Sequence, residues 1–183
     1  MRTLAIVGTA GGVGTTTVSA LAFAGLRGHP AGAPMLYARP SARLLERVGG
    51  DEVAAISGDV AIWDAGVHSP ESAAALLEAG GCSLAVAAPA TPLGVADAAR
   101  VLSTIAELGE QALSGVVVVL SQVNGRGPVP STAAIPPSLL VRIPHDAALG
   151  APTPIPPVAR LGRARAAAQI WQRRAAALLA PTR

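Results

Sequence analysis

Leu4 to Thr17 reads LAIVGTAGGVGTTT. A continuous apolar run, a glycine-rich bend and a threonine-rich helix start give the outline of a phosphate-binding loop between a buried strand and a helix. Such a loop makes its cradle from backbone N–H groups at a helix N-terminus, then places one lysine on the β- and γ-phosphates. This chain contains no lysine, and all 14 of its basic residues are arginine. The cradle is present, and the charge that normally completes it is missing.

Outward from the loop, strand and helix signals alternate. Strands are predicted over 4–8, 34–38, 59–64, 83–88, 116–120 and 139–143, and helices over 15–26, 41–48, 69–79, 93–108 and 159–180. Ser69 is the expected cap of its helix, with Pro70 in the first turn and Glu71 near the positive end. The runs at 83–88 and 116–120 are apolar without alternation, as in parallel strands covered on both faces. This order predicts an α/β fold, a doubly wound and mainly parallel sheet with helices on both faces, in a single domain spanning 1–183. Two stretches rich in proline and glycine, 124–137 and 150–157, read as loops at one rim of the sheet.

Composition bounds the rest. Apolar residues make up 51% but aromatic residues only 2%, so the core must be built from Ala, Val, Leu and Ile. The net charge of +3 comes from dispersed arginines, with a local concentration at Arg160, Arg163, Arg165, Arg173 and Arg174 that falls short of a basic tail. Cys82 is the single cysteine, so no intramolecular disulfide is possible and a reducing compartment is expected. Arg2, the apolar stretch after it and Ala31-Gly32-Ala33 loosely imitate a signal peptide, but Gly and Thr interrupt the apolar run. No transmembrane segment is predicted, and the expectation is a cytoplasmic protein.

The glycines of the loop admit several readings. Gly8, Gly11 and Gly14 satisfy a dinucleotide-binding spacing, and Gly8, Gly12 and Gly14 that of short-chain dehydrogenases. Either would need an acidic ribose partner after the second strand, where Tyr37, Ala38 and Arg39 stand, and the dehydrogenase also needs a Tyr and Lys pair. A purely structural turn leaves the three threonines after Gly14 unexplained.

The stretch from Thr9 to Thr17 resembles the deviant Walker A loop of the MinD/ParA family of P-loop NTPases, x-K-G-G-x-G-K-T-T. The likeness continues along the chain. Val60-Ala61-Ile62-Trp63-Asp64-Ala65-Gly66 is similar to the family's switch II strand, and Leu84 to Pro89 followed by Val95 to Arg100 to its strand, proline and Asp-Ala-x-Arg helix. Ile143-Pro144-His145-Asp146 is similar to the family's I-P-x-D loop, which lines the base pocket. The resemblance implies a site made of Gly11, Gly12, Val13, Gly14, Thr15, Thr16, Thr17 and Asp64, with Thr16 at the magnesium-binding hydroxyl position.

The departures bear on activity. Ala10 stands where the family's signature lysine reaches a partner's phosphates, Thr15 replaces the ordinary P-loop lysine, and the second strand ends in Tyr37-Ala38-Arg39 rather than an acidic pair. A lysine about 4 Å from a phosphate oxygen interacts by about 4 kcal/mol at an effective dielectric of 20, so losing two is severe even after solvation is discounted. Phosphoryl transfer rests on positioning and electrostatics, so the expectation is a vestigial site with no catalytic residue, at most weak ATP, ADP or phosphate binding, and no required cofactor. The altered lysines resemble those of the CpaE/TadZ-like branch, which implies a non-hydrolysing scaffold or positioning component in pilus or secretion machinery. Protein partners and a homodimer independent of nucleotide are expected. Two alternatives stand beside this: a weak ATPase using Arg39 or a partner's residue, and a ParA-like partition factor touching DNA non-specifically.

The remaining polar residues assemble no chemistry in the sequence. His29, His68 and His145 are scattered and no metal-ligand spacing exists; His68 stands out only because it follows Asp64 closely. Leu161, Ala164, Ala168, Trp171, Ala175 and Leu178 form one apolar face of the terminal helix, expected to cap the sheet.

Overall fold

The computed structural model describes residues 1–27, 34–37, 40–50, 58–123 and 130–180. Its strands are β1 (Arg2–Gly8), β2 (Met35–Leu36), β3 (Val60–Val67), β4 (Cys82–Pro89), β5 (Val116–Ser121) and β6 (Leu140–Ile143). Among the described residues these form one parallel sheet in the order β2-β3-β1-β4-β5-β6. The helices are α1 (Thr15–Leu26), α2 (Ala42–Val48), α3 (Pro70–Glu78), α4 (Pro92–Ala106), α5 (Ala147–Gly150) and α6 (Arg165–Leu178). The expected doubly wound α/β architecture is the one observed.

The unbroken apolar runs follow from burial on both faces. In β1, Leu4 and Ile6 enter the core shared with α1, α2 and α6, while Ala5 and Val7 enter the core shared with α3 and α4. β5 divides likewise, Val117 and Val119 to the first core and Val116, Val118 and Leu120 to the second. Small residues let the layers close. Gly94, in the first turn of α4, lies so close to the end of β4 that a Cβ there would stand 2.1 Å from the Pro89 carbonyl oxygen. Ser41, Ser69 and Thr91 cap α2, α3 and α4, accepting the N–H groups of Leu44, Ser72 and Gly94.

Several element ends differ from the sequence expectation. β3 runs on past Asp64 to Val67, because a register shift opposite Ile6 and Val7 leaves Ala65 unpaired and pairing resumes at Gly66 and Val67. β2 is limited to Met35–Leu36, although the Tyr37 N–H still reaches the Ile62 carbonyl at 2.8 Å; Ala38 and Arg39 lie outside the described residues. Of the stretch 124–137, residues 124–129 lie outside the described residues; Ile135 within it is buried in the α3/α4 core. The terminal helix predicted over 159–180 divides into a short 3-10 turn at Val158–Arg160 and α6 at Arg165–Leu178. The physical cause is Asp146: its Oδ2 accepts the N–H groups of Gly162 at 2.9 Å and Ala164 at 3.3 Å, taking donors that a continuous helix would use.

The apolar face of α6 does cap the sheet. Ala168, Trp171 and Ala175 are fully buried, and the Trp171 indole N–H donates to the Val18 carbonyl of α1 at 3.0 Å. Gln172 donates to Leu21 O at 3.1 Å beside it, where Gly25 leaves the room that the glutamine side chain occupies. Removing the largest buried side chain in a mainly aliphatic core leaves a void and takes away the indole hydrogen bond to the Val18 carbonyl. Trp171→Ala should cost about 3–5 kcal/mol, read as a lowered urea midpoint at unchanged m-value. A loss under about 1 kcal/mol would contradict this packing role.

Candidate functional site

The sheet order brings two of its connections apart at the carboxyl end of β1. The chain leaves β1 toward β2 and β3, then crosses back from β3 to β4 on the other side. Open α/β sheets bind ligands in the crevice at such a point. Residues Thr9 to Gly14 turn there from β1 into α1, with Gly12 at φ +73° and Gly14 at φ +91°. A side chain at these left-handed positions would strain the backbone, and the reversal keeps the amides of the bend available. Gly14 is the helix cap, no side chain caps α1 and no acidic residue stands in its first turn, so its leading N–H groups have no side-chain partner.

Below the loop, the Thr16 hydroxyl donates to Asp64 Oδ2 at 2.8 Å. Asp64 comes from β3, directly beside β1, so the hydrogen bond joins α1 to the neighbouring strand. Burial pushes the Asp64 carboxyl above its usual range, and hydrogen bonds from Thr16, the Gly66 backbone and Thr15 only partly offset this.

A cleft of about 570 Å³ opens in front of the loop. Gly12, Gly14 and Thr15 to Thr17 line it, together with Arg43 and Glu46 of α2 and with Gln122, Val123, Pro144 and His145 from the connections after β5 and β6. Of the site residues expected from the sequence, Gly12, Gly14, Thr15, Thr16 and Thr17 line this cleft. Gly11 is exposed outside it, the Val13 side chain is buried in the core, and Asp64 stands behind Thr16. Asp146 borders the cleft, but its carboxylate is occupied in holding the chain, accepting from Ala148 N at 3.1 Å as well as from Gly162 and Ala164. His68 donates its backbone N–H to the Gly8 carbonyl at 3.1 Å and does not line the cleft; its Nδ1 is buried with no partner among the described residues.

Arg47 is a wall residue that the sequence reading missed. Only 4% exposed, it donates to the carbonyls of Leu149 at 2.7 Å and Thr153 at 3.0 Å, to that of Ala151, and to the Thr17 hydroxyl at 3.4 Å. It therefore ties the loop after α5 to the first turn of α1. Burial lowers its pKa, and no carboxylate pairs with it among the described residues. One signal was available: in the sequence ARLLERV, Arg47 falls on the same helical face as Leu44 and Val48, where a charged residue is unusual.

Among the described residues no group of three or more His, Cys, Asp or Glu side chains could hold a metal ion, and no helix is long and apolar enough to cross a membrane. The raised Asp64 pKa has a stability consequence with a definite sign. The native state keeps a proton that the unfolded chain, with a carboxyl pKa near 3.9, has already released. The Asp64 contribution therefore falls as pH rises through the interval between the unfolded and native values. Asp64→Asn should remove that part of the pH dependence and raise the melting temperature at neutral pH, measured by thermal unfolding from pH 3 to 8. Identical slopes for the two proteins would contradict it. No family model, curated protein or solved structure matches this chain, so its own residues carry the functional reading.

Proposed function

We propose that the chain is a degenerate MinD/ParA-like P-loop domain that binds a phosphate-bearing ligand in the cleft of α1 without hydrolysing it, and acts as a binding or positioning component. The observation that carries this reading is the pairing of Thr16 with Asp64 at 2.8 Å beneath a left-handed glycine loop, in a chain with Ala10 and Thr15 at the two lysine positions. Shape and electrostatics part here. The backbone bend, the uncapped helix start and the hydroxyl and carboxylate pair favour an anion and, with it, a magnesium ion whose remaining ligands would be phosphate oxygens and water. No lysine meets the charge that develops during phosphoryl transfer, so binding without turnover is the favoured outcome.

The cleft supports the same reading beyond the phosphates. Pro144 and His145 follow β6 and line the same cleft as the loop, which at about 570 Å³ is large enough for a nucleoside. Positioning in pilus or secretion machinery is an inference from the CpaE/TadZ-like resemblance alone. The weak-ATPase alternative through Arg39 falls outside the described residues. Arg160, Arg163, Arg165, Arg173 and Arg174 are all exposed, which favours non-specific DNA contact as a second reading.

Calorimetry and phosphate release with Mg-ATP and Mg-ADP test the proposal. Binding with no release above background is expected, and self-association measured by light scattering should not change with nucleotide. Measurable turnover by the purified chain would overturn the non-hydrolysing reading. Ala10→Lys with Thr15→Lys should tighten nucleotide binding about tenfold or more, about 1.4 kcal/mol; no gain would show that the bend does not cradle phosphate. A DNA mobility shift that weakens steeply with salt would favour the second reading.

A further inference from the structure

At the opposite end of the sheet from the loop, the amino ends of β1, β4 and β5 and the carboxyl end of α6 enclose a second cavity of about 470 Å³. Its lining contains two guanidinium groups, Arg2 and Arg174, and no acidic residue among the described residues. Arg2 Nη1 is buried and has no hydrogen-bond partner among the described residues. The one ion pair among them, Arg100 with Asp97, is elsewhere, on α4. A buried guanidinium nitrogen without an acceptor is costly, and the ordinary remedy is an oxyanion that accepts from it.

The neighbouring groups do not supply that acceptor. Leu178 O, at the end of α6, already accepts from the Ser83 hydroxyl at 3.0 Å. The Ser114 hydroxyl is directed to Gln111 O at 2.7 Å. Cys82 donates its thiol to Leu76 O at 2.8 Å, and burial holds it in the neutral form. The α6 C-terminus presents about half an elementary charge, less than the two guanidiniums together. Arg174 is exposed, so its side chain is free to close over a ligand, whereas the Arg2 backbone is held in β1, paired with Val60 of β3 and donating its N–H to Asp59 O at 2.9 Å.

We propose that this cavity is a binding site for a compact multivalent oxyanion, a phosphate ester or a small dicarboxylate, held between Arg2, whose backbone is anchored in β1, and a closing Arg174. Guanidinium forks match both ligand types in two-point fashion. The site is independent of the glycine loop, because it lies at the other rim of the sheet and shares no lining residue with the cleft there.

Amide chemical-shift titration of the full chain tests this, since each rim reports separately. Inorganic phosphate and succinate should each shift the Gly81, Ser83 and Gly115 amides, and uncharged glycerol should not. A response to one of the two anions alone would name the ligand type. Arg2→Gln combined with Arg174→Gln should weaken this response about tenfold or more, leaving any phosphate response of Gly12 and Gly14 unchanged. If Arg2→Gln unfolds the chain, Arg174→Gln alone, at an exposed position, should still weaken binding severalfold. Shifts confined to the Gly12 and Gly14 loop, or equal affinity in the variants, would overturn the proposal.

Discussion

Burial of β1 on both faces is the constraint from which the rest of this structure follows. A strand in that position has no access to water, so its N–H and C=O groups must be paired on both edges, by β3 on one side and β4 on the other. Pairing β1 between two strands that come later in the chain forces the crossover from β3 to β4. That crossover opens the crevice at the carboxyl end of β1. The loop stands there because the central strand ends there, and two glycines supply the left-handed turns that let the chain reverse into α1.

The charges around that crevice are arranged for architecture as much as for ligand. Arg47 spends its donors on one carbonyl of α5, two of the loop after it and Thr17, so a cation beside the glycine loop holds a wall in place. Asp146 does the same with the opposite sign, accepting three backbone N–H groups from two separate segments. Asp64 pairs with Thr16, linking α1 to β3. In a chain with few aromatic residues and many alanines, such side-chain to backbone ties supply the positional specificity that bulky packing supplies elsewhere. Trp171 is the exception, a single large side chain that joins α6 to α1 by both volume and a hydrogen bond.

The two rims of the sheet also differ in kind. The carboxyl rim offers backbone amides and a helix start, which favour an anion, and its two arginines, Arg43 and Arg47, share the cleft with Glu46 and Asp146. The amino rim gathers two arginines around a cavity with no acidic lining residue among the described ones.

The sequence by itself determined the order of elements, the parallel sheet and the loop. Strands covered on both faces need unbroken apolar runs, and a reversal into α1 needs glycines, so both leave local marks at 4–8, 83–88, 116–120 and Gly12 to Gly14. Ser69 with Pro70 announced its helix start in the same local way. Only the tertiary structure decided the remainder. The bulge that carries β3 to Val67 depends on the register of β1. The break before α6 depends on a carboxylate 16 residues upstream of Gly162. The Arg47 wall joins residues about 100 positions apart, and the pairing of Thr16 with Asp64 spans 48. Contacts between residues so distant in the chain leave no period or spacing to read; they exist once the sheet has brought its carboxyl ends together.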